Sequence, residues 1–328
     1  MKVLLRLGIV LGALLVLLAG VLVFKDPPVY PRGVRTNDPY LTDDAAVLSD
    51  GVRLPLRSWG VATASGAAAP PRAIVIGLHG AGNYSANFDL PAVALAQAGI
   101  ATYAYDQRGH GNAPDRGKWA GVDSLVTDMN EVVGLIRARH PGVPVFLAGY
   151  SMGGCVLLNA AAEGRYPVVN GTILMSPGVN IGHHLAWPSR AALNIVARLA
   201  PGSIVPRPKE IDTGLTDNQA MGETLRHDPL NFSQMNFGYA YGVTMATDTA
   251  MPGAERLATP TLVLYGAHDV SVSPEEHAEV GRRVTAPKRD IRYADGYHQL
   301  MYDLRREVVF RDIAQWIGEN LSGSGVAK

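Results

Sequence analysis

Cysteine is almost missing from this chain: Cys155 is the only one in 328 residues. No disulfide can form within the chain, so the fold must rest on packing even in an oxidising compartment. Metal-binding spacing is missing as well. Neither Cys-x-x-Cys nor His-Glu-x-x-His occurs, and no other grouping of ligand residues calls for a metal or a cofactor. An excess of charge of either sign is also absent, since Lys+Arg and Asp+Glu both number 29 and the formal net charge is zero. A general nucleic-acid binder needs basic residues to displace counterions, and there is no basic run to supply them. Nucleic acid is therefore excluded as a partner. Internal repeats are lacking too. What remains is 47% hydrophobic and 18% charged, a balance that suits a compact globule rather than a disordered polymer. At this length one large domain or two modest ones can bury a substantial core.

The longest uncharged apolar stretch is N-terminal. Lys2 and Arg6 precede a run from Leu7 to Phe24, closed by Lys25-Asp26-Pro27-Pro28. Those eighteen residues make ~27 Å of helix, close to the hydrocarbon thickness of a bilayer. A secretory signal has a shorter apolar core and a small-x-small cleavage site. Here Ala19-Gly20 is the only near candidate, and Val21 stands where a lipoprotein signal needs cysteine. Residues 1–24 are accordingly expected to be an uncleaved signal-anchor in preference to a cleaved signal peptide. Lys2 and Arg6 would stay cytoplasmic and send the body across the membrane, although Arg32 and Arg35 beyond the run oppose that orientation. The expected location is extracytoplasmic, membrane-anchored through the N-terminal segment, or exported if that segment is cleaved.

Residues 25–42, rich in Pro, Asp and Arg, read as an extended linker. Ser49-Asp50-Gly51 between short apolar runs marks a hairpin. A rhythm of apolar run, Gly-rich turn and helical period then follows. Strands are predicted at Ala73–Leu78, Ala101–Tyr105, Val145–Ala148, Val168–Met175, Thr261–Tyr265 and Asp290–Tyr293. Helices are predicted at Phe88–Ala98, Val122–Arg139, Met152–Ala162, near Glu275–Val284 and at Leu304–Ile317. Strands apolar throughout and separated by helices mean a mostly parallel sheet covered on both faces, an α/β fold. About 80 residues, 178–258, interrupt the rhythm, which is too long for a plain loop. They are expected to form a helical cap over the sheet's C-terminal edge, inside a domain spanning 43–322 that ends in a flexible tail at 323–328.

Gly149-Tyr150-Ser151-Met152-Gly153 follows one of these strands and opens a helix. That context makes Ser151 a nucleophile on a sharp strand-to-helix turn, where glycines relieve crowding. A serine needs a base, and the base an orienting carboxylate. Asp269, just past the strand Thr261–Tyr265, lies on the same sheet edge, and only His277 and His298 follow it. His277 sits in Glu275-Glu276-His277-Ala278-Glu279 and reads as a solvated helix-surface residue. His298 follows the last strand at the edge where ligands collect, which makes it the partner of Ser151. The backbone N–H groups of Met152 and of Ala81, in His79-Gly80-Ala81-Gly82, are the expected oxyanion donors. His79 reads as a structural hydrogen-bonding group beneath that loop. Cys155 reads as core, and His183-His184 as polar cap surface. Met235, Met245 and Met251 fit either an acyl pocket or ordinary cap packing.

His79-Gly80-Ala81-Gly82, Asp106-Gln107-Arg108-Gly109-His110-Gly111, Gly149-Tyr150-Ser151-Met152-Gly153-Gly154, Gly266-Ala267-His268-Asp269 and Tyr297-His298 occur in this order. Over roughly Asp44 to Leu321 the chain resembles the monoacylglycerol lipase and lysophospholipase branch of the α/β-hydrolases. The resemblance implies an eight-stranded-type α/β-hydrolase core, a lid-like cap with a hydrophobic acyl pocket, and cleavage of a lipid-derived monoester without a cofactor. It also implies that His110, in a structural loop, is not catalytic. A short-chain esterase, thioesterase, peptidase or acyltransferase would use the same three residues. A non-catalytic binding module would typically have lost one of them, and dehalogenase or epoxide-hydrolase chemistry needs aspartate where Ser151 stands.

Overall fold

The computed structural model describes residues 26–61, 70–206, 214–232 and 234–322, together with Gly12. The expected anchor, Gly12 apart, and the tail at 323–328 lie outside the described residues. Among the described residues no helix is long and apolar enough to cross a membrane.

Nine strands form one sheet in the order β1-β2-β3-β5-β4-β6-β7-β8-β9. They are β1 (Tyr40–Leu41), β2 (Ala45–Val47), β3 (Arg53–Trp59), β4 (Ala73–Leu78), β5 (Ile100–Tyr105), β6 (Val145–Tyr150), β7 (Gly171–Met175), β8 (Thr261–Gly266) and β9 (Lys288–Tyr293). The first three pair antiparallel, β3 meets β5 antiparallel, and every pairing from β5 to β9 is parallel. Strands β4 to β8 are buried at every position, which is why they read as unbroken apolar runs. Their alternate residues feed two cores. Ile74, Ile76 and Leu147 point to one, and Ala73, Val75 and Phe146 to the other. Helices α1 (Asp89–Gln97) and α10 (Arg306–Ser322) cover the second face through Leu95, Phe310 and Trp316. The first face is covered by α2 (Val122–Arg139), α3 (Met152–Ala162) and α9 (Pro274–Arg283), through Met129, Val156 and Val280.

The sheet has one strand more than expected, because β1 is too short to carry an alternating pattern. It belongs to the segment read as a linker, which lies against the body. Tyr30 N–H donates to Trp119 O at 2.8 Å, and Arg32 pairs with Glu131 at 2.7 Å and Asp128 at 3.3 Å. Asp128 also takes a two-pronged contact from Arg108, whose guanidinium reaches Asp50 at 2.9 Å. Buried charges survive only when paired in this way.

Between β7 and β8 stand α4 (Ile181–His184), α5 (Trp187–Leu199), α6 (Gln219–His227), α7 (Phe237–Asp248) and α8 (Pro252–Arg256). Helix α8 is seated on α3 so tightly that a Cβ on Gly253 would fall 1.8 Å from Leu158 O. Of the preceding helices, α4, α6 and α7 line the cavity over the site through Ile181, Leu225 and Val243, and α5 packs on α7.

Candidate active site

Ser151 joins β6 to α3 with φ 49° and ψ −112°, a conformation that costs a non-glycine residue about 1–3 kcal/mol. The surrounding packing leaves no alternative. A Cβ at Gly153 would lie 2.0 Å from Leu78 O on β4, and one at Gly149 would lie 2.6 Å from Gly154 N. The glycines therefore let the helix start against the neighbouring strand. Ser151 remains half-buried and open to the cavity, while Met152 beside it is buried.

The loops after β8 and β9 bring Asp269 and His298 to the same edge. His298 Nε2 lies 3.0 Å from Ser151 Oγ, and His298 Nδ1 lies 2.7 Å from Asp269 Oδ2. A carboxylate only accepts, so Nδ1–H donates to Asp269 and Nε2 is left to accept the Ser151 hydroxyl proton. Asp269 Oδ1 accepts from the amides of Ser271 at 2.8 Å and Val272 at 3.0 Å. Burial by itself would raise the pKa of this carboxyl. The electrostatic attraction of His298 and the hydrogen bonds from His277 and His298 prevail, and hold it far below the usual carboxylate range.

His277 departs from its expected place. It is fully buried, not solvated, and its Nε2 lies 3.0 Å from Asp269 Oδ2. Charged neighbours in sequence disguised it, because His277, Val280 and Gly281 form the face of α9 that turns inward while the glutamates turn away.

Ala81 and Met152 both line the cavity beside Ser151. Among the described residues neither amide N–H donates to another backbone acceptor, so both are available to an oxyanion. The loop that carries Ala81 is held from below and above. His79 Nδ1–H donates to Gly80 O at 2.9 Å, and His79 Nε2 accepts from Gln107 N–H at 2.9 Å. The Gln107 side chain donates back to His79 O, which ties the ends of β4 and β5 together. From the cap, Phe232 N–H donates to Gly82 O at 2.8 Å.

His110 is buried and its Nε2 accepts from Tyr239 Oη at 2.7 Å, an oxygen that also lies 3.5 Å from Met152 Sδ. Burial lowers His79 to about 4 and His110 to about 3, so both stay neutral. Tyr239, a cap residue packed against Met152, has no sequence signal beyond its place in a polar-aromatic stretch. Asp303 was also unremarked. It accepts from Tyr297 N–H, next to His298, and from Thr216 Oγ1 of the cap.

The cavity over Ser151 holds ≈ 370 Å³, within the ~300–1,000 Å³ usual for small-molecule sites. Its apolar wall includes Ile181, Leu215, Leu225, Phe232, Met235 and Val243, and among the described residues Arg226 is the only Lys, Arg, Asp or Glu in it. Of the three methionines singled out, Met235 lines the cavity, and Met251 is buried in the core. Cys155 is buried, its thiol pushed up to about 12 first of all by burial. His184 pairs with Glu276 at 2.8 Å and His183 lies near Asp248 on the cap surface. Among the described residues no group of His, Cys, Asp and Glu is arranged to hold a metal.

A serine on a strand–turn–helix elbow, with an acid and a histidine from later loops of the same parallel sheet, defines an α/β-hydrolase. The Hydrolase_4 family model, described as serine aminopeptidase, S33, matches residues 69–305. The monoglyceride lipase homolog of Monkeypox virus is 30% identical over 257 residues, covering 75% of this chain and 90% of the viral protein. Monoglyceride lipase of Rattus norvegicus is 29% identical over 308 residues, covering 90% of this chain and 96% of the rat protein. Among solved structures, Paleococcus ferrophilus monoacylglycerol lipase matches with TM-score 0.68 at 22% identity, over 83% of this chain and 99% of that one. A soluble variant of Saccharomyces cerevisiae monoglyceride lipase matches with TM-score 0.69 at 20% identity, over 89% and 99%. At those identities the two structures speak for the fold alone. The chain belongs to the Hydrolase_4 family, in its monoglyceride lipase branch, and is a carboxylic-ester hydrolase.

Proposed function

We propose that the chain hydrolyses monoacylglycerols through an acyl-enzyme on Ser151. Ser151 Oγ attacks the ester carbonyl as His298 Nε2 takes its proton, and Asp269 steadies the resulting imidazolium. The amides of Ala81 and Met152 receive the oxyanion. Collapse breaks the bond to the glycerol oxygen, which leaves with the proton from His298. Water then attacks the acyl-enzyme, gives a proton to His298, and releases the fatty acid as Ser151 recovers its own proton.

One observation carries this reading over the peptidase chemistry in the family's description. An aminopeptidase must bind an α-ammonium group, which in a partly dry pocket calls for a carboxylate partner. Among the described residues the wall of this cavity contains no Asp or Glu, and it is mostly apolar, as an acyl chain requires. Purified enzyme should release glycerol from monoacylglycerols, leave aminoacyl anilides intact, and bind a fluorophosphonate probe that Ser151→Ala no longer binds. Cleavage of anilides in preference to esters would overturn the proposal, and undiminished labelling of Ser151→Ala would remove the nucleophile. A lysophospholipid panel run alongside distinguishes the head group.

The run Leu7–Phe24, preceded by Lys2 and Arg6, supports placing this enzyme on a membrane with its body on the extracytoplasmic side. Cleavage of the run would instead export it. Carbonate extraction of membranes and the N-terminal sequence of the mature protein test the two fates; a full-length protein in the soluble cytoplasmic fraction would sink both.

A further inference from the structure

Four N–H groups converge on Asp269: the amides of Ser271 and Val272 on Oδ1, and His298 Nδ1 and His277 Nε2 on Oδ2. A carboxylate has about four acceptor sites, so this one is saturated. The triad accounts for one of the two imidazoles and leaves the other unexplained. His277 Nε2 must be the protonated nitrogen, because its partner can only accept. Among the described residues His277 Nδ1 has no partner and is buried. Adding a proton there would strand an N–H donor and a charge in a dry interior, and burial accordingly lowers the pKa of this imidazole.

Among the described residues Asp269 is its one side-chain hydrogen-bond acceptor. The Tyr265 ring of β8 lies 5.4 Å away at a tilt of 40°. Glu276 on the same helix is turned to Asn180 and His184. Asp290 of β9 and Glu255 of α8 face the next turn, at Gly281 and Arg283.

We propose that His277 is a positioning residue for the catalytic aspartate: its Nε2–H fixes the carboxylate plane and shares the charge on Oδ2 with His298. The inference rests on the proposed roles of Ser151, His298 and Asp269. Sharing has a consequence that packing alone lacks. Without the His277 donor, Asp269 is free to turn and its charge falls more heavily on His298, which then holds a proton more strongly and serves as base only at higher pH.

The test compares His277→Leu, which removes the donor, with His277→Gln, which places an amide N–H near the former Nε2. With a soluble monoester, His277→Leu should lose about ten-fold in kcat, short of the ~100-fold that a full 1 Å misplacement costs. KM should stay level, and the acid limb of its kcat/KM profile should move to higher pH. His277→Gln should restore both. An acid limb that stays in place in His277→Leu, or a loss that His277→Gln shares in full, would overturn the proposal and leave a packing role. Should His277→Leu fail to fold, 15N NMR of the wild-type protein decides. His277 must then show a proton on Nε2 and none on Nδ1 at the pH of activity, and a neutral ring carrying its proton on Nδ1 would overturn it. A wild type inert toward esters would sink the proposed function instead, and leaves this tautomer measurement intact.

Discussion

Changing Asp269 to Asn alters one atom of the site and should nearly abolish turnover. The side chain stands between two pairs of donors: Ser271 and Val272 amides at 2.8 and 3.0 Å on Oδ1, His298 and His277 at 2.7 and 3.0 Å on Oδ2. An asparagine has one oxygen for these two positions. If its NH2 faced the backbone amides, two buried N–H groups would lose their acceptor at about 1–3 kcal/mol each. Backbone amides cannot adapt, but an imidazole can exchange tautomers. The oxygen should therefore face Ser271 and Val272, with the NH2 donating to the two histidines, which strands one buried donor, on His277 Nδ1, rather than two backbone amides. His298 would then carry its proton on Nε2, aimed at Ser151 Oγ, and could not act as base. The expected loss in kcat is on the order of 10⁴-fold, or about 5.5 kcal/mol of barrier. Initial rates on a p-nitrophenyl ester and on a monoacylglycerol measure it, with a thermal melt to show that the variant is folded. A folded variant within ten-fold of wild type would refute the reasoning, because the tautomer of His298 would then not depend on Asp269.

Gly153→Ala should fail to accumulate as soluble protein, since its Cβ would stand 2.0 Å from Leu78 O in the immovable sheet, and expression followed by circular dichroism checks it. Tyr239→Phe leaves His110 Nε2 buried without a donor and should cost about 1–3 kcal/mol in urea denaturation; an unchanged midpoint would contradict the cap–body link. His79 has a pKa lowered by burial to about 4, below the 6.5 of the unfolded chain. Its neutral form thus contributes stability that is present above 6.5 and lost as pH falls toward 4, ~3 kcal/mol over that window. His79→Gln should lose correspondingly less stability than wild type between pH 7 and 4, and parallel pH profiles would refute the assignment.

The parallel strands β4 to β8 were visible in the sequence because each is buried on both faces, and that leaves an unbroken apolar run. Edge strands obey a weaker rule. The two residues of β1 have no pattern to show, and β9 carries Lys288, Arg289 and Asp290 at exposed positions, so its expected start fell two residues late. In α9 the helix was foreseen but its orientation was not. Its glutamates advertised a wet surface, while one residue in three or four turned His277 inward.

Sequence alone determined the buried parallel strands, the elbow at Ser151, and the order serine, aspartate, histidine along the chain, since these follow from local periodicity, glycine placement and chain connectivity. Only the tertiary structure decided which side chains meet, whether 8 residues apart, as His277 and Asp269 are, or 129, as His110 and Tyr239 are. It placed two imidazoles on one carboxylate oxygen, paired Arg32 and Arg108 with the same buried Asp128, set Tyr239 of the cap against His110, and gave the described residues of the cavity wall no acid. Partners of this kind are chosen by burial, where an unpaired polar group is costly, and burial is a property of the whole fold rather than of any segment.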